Sequence, residues 1–374
     1  MNSLRALPQV VGVLLGAVVL AGCAGGSNDQ AVGASVNAPN PDTSTAAADT
    51  EVTTPLGAAD LVTGLNSPWG LVPLDDGSLL IGSRNTAGIS VLAPGTATPT
   101  LLASLDVRAE GESGLLGLTI TDDESTLFVY FTTEVDSRVA TMSWDGTTLG
   151  EPQVIVQGIP GGETFHQGGA LALGPDGYLY VATGDNGDPG SAQDLDSLSG
   201  KVLRYTLDGA AAPDNPFNSA VYSLGHRNVE GLTFDDRGRL WVSEFGQNLW
   251  DEVNLVEPGA NYGWPEVEGS GGGADFVDPK AVWRTEDASP SGITYWQGSL
   301  WMAALRGQTL WEIPLVGPAS ADAGTPVPHL AGEYGRLRNV VVETGGAALV
   351  LATSNTDGRG EPVADDDRLL RVSR

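Results

Sequence analysis

Five side chains that can bind an anion or accept a proton occupy equivalent places in a repeated pattern of this 374-residue chain. They are four arginines and one of only three histidines: Arg227, Arg306, Arg336, Arg338 and His166. The chain has 18 Lys and Arg against 47 Asp and Glu, for a net charge of −29. A cluster of guanidinium groups in so acidic a background indicates a ligand more negative than the protein. An imidazole beside it can accept a proton near neutral pH, so the pattern predicts a polyanionic cofactor next to a general base.

A short apolar strand, usually introduced by an Asp/Gly turn, recurs six times and indicates the fold. Its copies begin at Leu79, Leu127, Leu179, Leu240, Leu300 and Leu349, with spacings of 48 to 61 residues. Another short strand of small and apolar residues precedes each copy. Repeats of this size built from consecutive strands are typical of a β-propeller, whereas a β-sandwich has no such long-period register. We therefore predict an all-β, six-bladed β-propeller over residues 56–374, with the active site at one mouth of its central channel.

The loops that lead into the first strand of each blade surround one mouth of a propeller, so residues in them converge. Such loops contain Glu112, His166, Arg227, Asn228, Arg336 and Arg338. Arg306 follows the second strand of the fifth blade, where a connecting loop can return to the same face. Each arginine could instead pair with one of the abundant carboxylates, and His166 could be a hydrogen-bonded core residue. Their equivalent places in the repeat favour a functional site.

A second, acidic cluster lies between residues 244 and 265. Calcium takes six to eight oxygen ligands from carboxylates, backbone carbonyls and water, and a Gly-containing turn followed by Asp251 and Glu252 offers that mixture. The spacing is not that of an EF-hand. The segment 185–188 (Asp-Asn-Gly-Asp) also resembles a calcium loop, but an ordinary solvated turn explains it equally well.

The N-terminal 55 residues have the features of a targeting segment and a tether. Arg5 precedes a short apolar stretch, and residues 20–23 (Leu-Ala-Gly-Cys) resemble a lipoprotein cleavage site. We expect a signal peptide over 1–22, lipidation of Cys23 and a flexible tether over 23–55, which would place the protein outside the cytoplasm, anchored to the cell membrane. Cys23 is the only cysteine, so no intramolecular disulfide forms. The strong negative charge argues against nucleic acid as a partner.

The chain resembles the glucose/sorbosone dehydrogenase family, which comprises soluble sugar dehydrogenases that depend on pyrroloquinoline quinone (PQQ). The resemblance runs from about Leu61 to Val372. It is carried by residues 67–70 (SPWG), 114–117 (GLLG), 166–169 (HQGG), 174–177 (GPDG), 200–204 (GKVLR), 214–217 (DNPF), 225–228 (GHRN), 251–254 (DEVN), 261–265 (NYGWP) and 336–338 (RLR). The family fold is a six-bladed propeller, as the repeat also predicts.

The resemblance implies a role for each candidate residue. PQQ is a tricarboxylate, and the residues that match its binding positions are Glu112, Arg227, Asn228, Arg306, Arg336 and Arg338. His166 matches the general base that takes a proton from the anomeric hydroxyl of the sugar. The backbone carbonyls of Gly246 and Gln247 match ligands of a Ca²⁺ beside the quinone, while Glu252 and the carbonyl of Tyr262 match ligands of a structural Ca²⁺.

Three residues depart from the family pattern. Arg306 replaces a lysine, Gln247 replaces a proline in the calcium loop, and Phe165 replaces a polar residue beside the base. The implied function is oxidation of aldose sugars at the anomeric carbon to lactones, with transfer of electrons to an unidentified acceptor. Two alternatives stay open at this stage: a propeller without PQQ that serves as an extracytoplasmic ligand- or protein-binding module, and a calcium-dependent lactonase. The lactonase would need acidic metal ligands around the channel, where the candidates are mainly cationic.

Overall fold

The structure, a computed structural model, describes residues 56–162 and 165–374. The predictions for residues 1–55, including the signal peptide, the lipidated Cys23 and the tether, lie outside the described residues. The first described strand is β1 (Gly57–Val62). Three blades follow it: β2 to β5 (Pro68–Pro73, Leu79–Ser83, Gly88–Leu92 and Thr100–Ser104), β6 to β9 (Leu115–Ile120, Thr126–Thr132, Ser137–Ser143 and Gln153–Ile159) and β10 to β13 (Gly168–Leu173, Leu179–Thr183, Lys201–Tyr205 and Val221–Leu224).

The second half of the chain forms three more blades. They are β14 to β17 (Val229–Phe234, Leu240–Glu244, Trp250–Val256 and Ala281–Arg284), β18 to β22 (Pro290–Trp296, Ser299–Ala304, Leu310–Val316, Asp322–Ala323 and Val327–His329) and β23 to β25 (Leu337–Val342, Leu349–Thr353 and Leu369–Ser373). All strand pairs within a blade are antiparallel. The helical segments in the described residues are three short 3₁₀ turns, at Pro189–Ala192, Gly273–Asp275 and Pro318–Ser320.

Strand β1, at the start of the described chain, completes the sixth blade. Strand β1 pairs antiparallel with β25, with Gly57 opposite Ser373 and Asp60 opposite Leu370. The first strands of the blades contact one another in the order β2, β6, β10, β14, β18 and β23, and β23 contacts β2. This closed ring confirms the predicted six-bladed propeller. The inner edge of each sheet is short and is protected by the neighbouring blades around the channel.

Apolar side chains fill the spaces between adjacent blades. Trp241 and Trp301, which lie in the second strands of blades 4 and 5, are completely buried. Near the axis the first strands approach so closely that some positions require glycine. A side chain at Gly117 would collide with the Gly169 carbonyl of the next blade, and one at Gly231 with the Ser291 carbonyl. The axis keeps a channel of about 150 Å³, which Glu230, Ser291 and Arg338 line together with first-strand residues.

Two sets of loops meet at one mouth of this channel: those that precede the first strands, and those that join the second strands to the third. The main-chain hydrogen bonds between the two sets are direct. The N–H of Leu305, after β19, donates to the carbonyl of Ser289, before β18 (3.0 Å), and the N–H of Asp185, after β11, donates to the carbonyl of Arg227, before β14 (2.7 Å). Backbone hydrogen bonds therefore join the two sets of loops at the mouth. In the described part of the chain, no helix is long and apolar enough to cross a membrane.

Candidate active site

His166 stands at the mouth and is held by a buried carboxylate. Its Nδ1 lies 2.7 Å from Oδ1 of Asp185, which is the second residue after β11. Asp185 is almost fully buried and also accepts hydrogen bonds from the Trp264 indole (2.9 Å) and the Gly187 N–H (2.9 Å). Burial favours the neutral acid, but the hydrogen bonds from His166 and Gly187 and the charge of His166 hold the pKa of Asp185 below its ordinary value.

The ionised Asp185 fixes the tautomer of the imidazole. A carboxylate only accepts hydrogen bonds, so Nδ1 of His166 must carry the proton. The lone pair of Nε2 then accepts no hydrogen bond from the described residues, and the His166 side chain remains 17% exposed. The backbone of His166 has φ of +56°, an uncommon conformation for a residue with a side chain. The arrangement is suited to accepting a proton at Nε2.

Glu112, in the loop before β6, supports the backbone of His166. Its Oε2 accepts the His166 N–H (2.6 Å), and its Oε1 accepts a hydrogen bond from the guanidinium of Arg359 (2.9 Å). Arg359 belongs to the loop between β24 and β25, so this ion pair joins distant parts of the mouth. Glu112 is thus next to the base, and its carboxylate stabilises the unusual His166 conformation; its predicted place near the quinone stays a prediction.

Two arginines of the sixth blade lie at the top of the channel. Arg338 is buried; its Nη1 lies 2.9 Å from Glu230 and 3.1 Å from the Ser291 hydroxyl, and its guanidinium carbon lies 3.4 Å from the centre of the Trp69 ring. Its Nε has no hydrogen-bond partner among the described residues. Arg336 forms an ion pair with Asp357 (3.0 Å). Burial lowers the pKa of Arg338 to about 10, against the opposing effect of Glu230, so it stays cationic at neutral pH.

Arg227 and Asn228, immediately before β14, occupy the next sector of the mouth. Arg227 lies over the Trp264 ring (5.4 Å) and donates to the Phe245 carbonyl (3.3 Å), while its buried Nε has no partner in the described part of the chain. Asn228 is completely buried, and its amide accepts from the Gly168 N–H (3.0 Å) and donates to Glu230 (3.0 Å). The Asn228 amide therefore connects the His166 loop to the channel.

Arg306 differs from the other arginines because its side chain is exposed. It lies in the short connection between β19 and β20, whose backbone hydrogen bond to Ser289 places it on the mouth side of blade 5. No ion pair of Arg306 is formed with any described residue, in contrast to Arg336 and Arg338. Its charge is available to a ligand.

The loop after β15 contains Gly246 and Gln247 and is held by two carboxylates, of which Asp251 accepts the Gly246 N–H (2.9 Å). Oε1 of Glu268 accepts the N–H groups of residues 247 to 250, at 2.7 to 3.0 Å. Burial alone would raise the pKa of Glu268, but these four donors lower it. Gly246 is sterically required, because a side chain there would collide with the Trp250 carbonyl. The predicted calcium loop is thus shaped by Glu268, which the sequence analysis did not identify.

Glu252 and Tyr262 lie on the other side of this loop and border a small cavity with Glu244 and Glu268. Burial, with the charge of Glu244, raises the pKa of Glu252 to about 8. Asn254 donates to Glu252 (3.0 Å), yet its own buried Oδ1 has no partner among the described residues. The described residues contain no group of three or more His, Cys, Asp or Glu side chains arranged as a metal site; the predicted ligands are mainly backbone carbonyls.

Several residues at the mouth were not predicted as site residues, and most share one location. Arg84, Asp185, Asp357 and Arg359 all lie in connections between second and third strands. Arg84 stacks near Trp69 (5.3 Å) and donates to the Asp357 carbonyl (3.4 Å). From this type of loop only Arg306, Gly246 and Gln247 were predicted as site residues. Applying the same equivalence to all six blades would have found Arg84 and Asp185, because each follows directly after a repeated second strand.

Comparison with known proteins agrees with this geometry. The chain is 32% identical over 250 residues to quinoprotein glucose dehydrogenase B of Acinetobacter calcoaceticus, covering 56% of this chain and 52% of that protein. It is 31% identical over 260 residues to aldose sugar dehydrogenase YliI of Escherichia coli, covering 63% and 68%.

Solved structures give a similar result. The PQQ-bound form of aldose sugar dehydrogenase from Streptomyces coelicolor is 50% identical, with a TM-score of 0.81 over 85% of this chain and 98% of that one. The sequence model of the glucose/sorbosone dehydrogenases matches residues 65–370. The chain therefore belongs to the glucose/sorbosone dehydrogenase family.

Proposed function

We propose that this protein is a PQQ-dependent aldose sugar dehydrogenase, which oxidises sugars at the anomeric carbon to lactones and passes the electrons to an acceptor not yet identified. The observation that carries the proposal is the mouth of the propeller, where a His–Asp pair stands beside a cluster of guanidinium groups in a strongly acidic protein. The family membership and the similarity to a PQQ-bound sugar dehydrogenase support it.

The residues at the mouth fit a tricarboxylate. Arg227 and Arg338 each have a buried Nε without a partner in the described residues, and Arg306 has a free, exposed guanidinium. Guanidinium groups pair with carboxylates through two parallel hydrogen bonds. We infer that Arg227, Asn228, Arg306, Arg336 and Arg338 hold PQQ, with Glu112 close to it. Arg338 and Arg336 already face Glu230 and Asp357, which keep the site neutralised until an anionic ligand binds.

His166 performs the proton transfer in this proposal. Nε2 takes the proton of the anomeric hydroxyl while a hydride leaves the anomeric carbon. PQQ, when bound, supplies the quinone that accepts this hydride. Asp185 holds Nδ1 during the transfer and stabilises the imidazolium that forms, as a buried carboxylate does for a catalytic histidine in general. Glu112 keeps the His166 backbone in place. Loss of the hydroxyl proton and of the hydride together leaves the C=O group of the lactone.

We further propose two calcium sites. The carbonyls of Gly246 and Gln247 would hold a Ca²⁺ that acts as a Lewis acid toward the cofactor, and Glu252 with the Tyr262 carbonyl would hold a structural Ca²⁺. Glu244, Glu252 and Glu268, which border the small cavity, support a cation there, because buried like charges are stabilised by a metal. Asn254, whose Oδ1 has no partner among the described residues, contacts Glu252. Lipidation at Cys23 would anchor the enzyme to the outer side of the cell membrane.

The proposal is tested by replacing the base. His166→Ala is expected to bind PQQ with unchanged affinity, measured by the absorbance of the bound cofactor, and to lose turnover of aldose with an artificial dye. His329→Ala is the matched control, because His329 also pairs with a carboxylate (Glu312, 3.0 Å) but lies in the outer strand of blade 5. Full turnover in the His166 variant would remove His166 from the reaction. Absence of PQQ binding in the unmodified protein would favour the binding module instead.

A further inference from the structure

Lys201, one of only two lysines in the chain, is completely buried at the start of β12. Its ammonium donates three hydrogen bonds to backbone carbonyls: Ser191 (2.7 Å), Ala192 (3.0 Å) and Ser199 (2.8 Å). An ammonium has three donors, so all of them are used. Among the described residues Lys201 forms no ion pair with a carboxylate, whereas the other lysine, Lys280, pairs with Asp322 at the surface (3.3 Å).

The three carbonyls belong to the segment 184–200, which joins β11 to β12 at the mouth. The equivalent connections of blades 4 and 5 are much shorter, over residues 245–249 and 305–309. The segment begins with the residues that present Asp185 to His166, and its two ends are joined by the hydrogen bond from the Gly200 N–H to the Gly184 carbonyl (2.8 Å). Lys201 therefore binds carbonyls further along this segment, while Asp185, near its start, binds the base His166.

The same segment also supports the neighbouring cationic loop. The Ala192 carbonyl that faces Lys201 accepts the N–H of Gly225 (3.0 Å), and the Gly200 carbonyl accepts the N–H of His226 (3.1 Å). The next residue is Arg227, whose carbonyl accepts the Asp185 N–H. The Lys201 ammonium thus contacts a hydrogen-bond network that extends to Asp185, the partner of His166, and to Arg227.

Burying a cation without a carboxylate is costly, and a hydrophobic residue would fill the same volume. Burial lowers the pKa of Lys201 to about 8, with the charge of Asp194 acting in the opposite direction. Lys201 is therefore still an ammonium at neutral pH. A neutral side chain at this position would leave the Ser199 carbonyl without a donor among the described residues. The Ser191 and Ala192 carbonyls would each lose one of their donors and keep the N–H groups of Asp194 (3.2 Å) and Gly225 (3.0 Å).

We propose that Lys201 is a positioning residue of the active site: its ammonium is an internal cation that folds residues 184–200 into the form that holds Asp185 against His166. The inference rests on the proposed function for its kinetic consequence only. Lys201 does not contact the substrate, and the contact it controls, between Asp185 and His166, is measurable without cofactor or sugar.

The test compares Lys201→Met with the control Lys280→Met in the full chain. The first readout is the downfield proton NMR signal of the His166 Nδ1–H, assigned by its loss in His166→Ala; the His329 ring signal, from blade 5, is an internal reference. In Lys201→Met we expect a cooperative thermal transition, loss or a large shift of the His166 signal, and an unchanged His329 signal. With PQQ and Ca²⁺ present, kcat should fall at least tenfold while KM changes less than threefold, since the change acts on proton transfer.

The proposal is overturned if Lys201→Met keeps the His166 signal and a kcat within twofold of Lys280→Met. A loss of thermal stability with an unchanged His166 signal would likewise reduce Lys201 to a purely structural residue. If Lys201→Met does not fold, Lys201→Arg decides: its planar guanidinium cannot serve three converging carbonyls in the same way, so an unaltered His166 signal would contradict the proposal. Should neither variant fold, rapid amide exchange of Gly200 in the unmodified protein would overturn it, and strong protection would support it.

If the enzyme lacks activity with PQQ and aldoses altogether, the NMR result still decides the role of Lys201. A lost His166 signal in an inactive protein would support the positioning role and refute only the proposed reaction. An intact signal in an active enzyme would refute only the positioning role.

Discussion

Replacement of Asp185 by asparagine isolates the contribution of the buried carboxylate to proton transfer. The side chains have the same shape. With the amide oxygen at the Oδ1 position the hydrogen bond from Gly187 (2.9 Å) can persist, while the Trp264 indole, which donates to Oδ2 (2.9 Å), loses its acceptor. The charge that faces His166 Nδ1 at 2.7 Å is also lost. A hydrogen bond to a charged group contributes about 1.5–3 kcal/mol. If this stabilisation applies to the imidazolium formed in the transition state, kcat falls by about 10- to 150-fold.

The assay is aldose-driven dye reduction by the holoprotein, with PQQ affinity measured in parallel. Because Asp185 is not among the residues proposed to hold PQQ, its affinity should change less than threefold. Asp188→Asn is the matched control: Asp188 is three residues further along the same segment, and it is exposed. A kcat within twofold of the unmodified enzyme in Asp185→Asn, with the control also unaffected, would refute the role given to this carboxylate.

Three further predictions address charge, pH and metal. Arg306→Gln should weaken PQQ binding by about three- to tenfold, as expected for an exposed charge, and leave the free energy of unfolding unchanged in urea titration; equal affinity would remove Arg306 from the site. Because the pKa of Asp185 is lowered on folding, the unfolded chain binds more protons in acid. The stability advantage of the unmodified protein over Asp185→Asn should thus be present above about pH 4 and shrink as the pH falls below it; an advantage that does not change with pH would contradict this. Removal of Ca²⁺ by a chelator should lower the melting temperature, and Glu252→Gln should reduce that difference while the exposed Glu266→Gln retains it in full; an equal calcium effect in all three proteins would exclude Glu252 as a ligand.

The propeller and its functional mouth were accessible from the sequence because both depend on a repeat. Each second strand has a buried leucine as its first or second residue, and the spacing of these leucines gives the number of blades. Equivalence in the repeat then placed His166, Arg227 and Arg338 at one mouth without any knowledge of their contacts. In the structure the loop containing Arg306 is hydrogen-bonded to the loop before β18, and the role of Arg306 stays a prediction.

The partners of these residues were not accessible in the same way. The Asp185 segment has the composition of a solvated turn, yet in the structure its first carboxylate is buried against His166. That burial depends on the path of residues 184–200 and on Trp264, which comes from another blade. The three carbonyl contacts of Lys201 likewise depend on the conformation of an irregular segment, which has no periodic signal. Sequence patterns predict the regular strands. They do not predict the conformation of the long connections at the mouth, because contacts between blades determine it.

The most direct test of the proposed chemistry is aldose-driven reduction of an artificial dye by the full chain, with and without PQQ and Ca²⁺. We expect turnover with a panel of aldoses only when both PQQ and Ca²⁺ are present, and a lactone as the product. Turnover without PQQ, or no turnover and no PQQ binding across the panel, would contradict the quinoprotein mechanism.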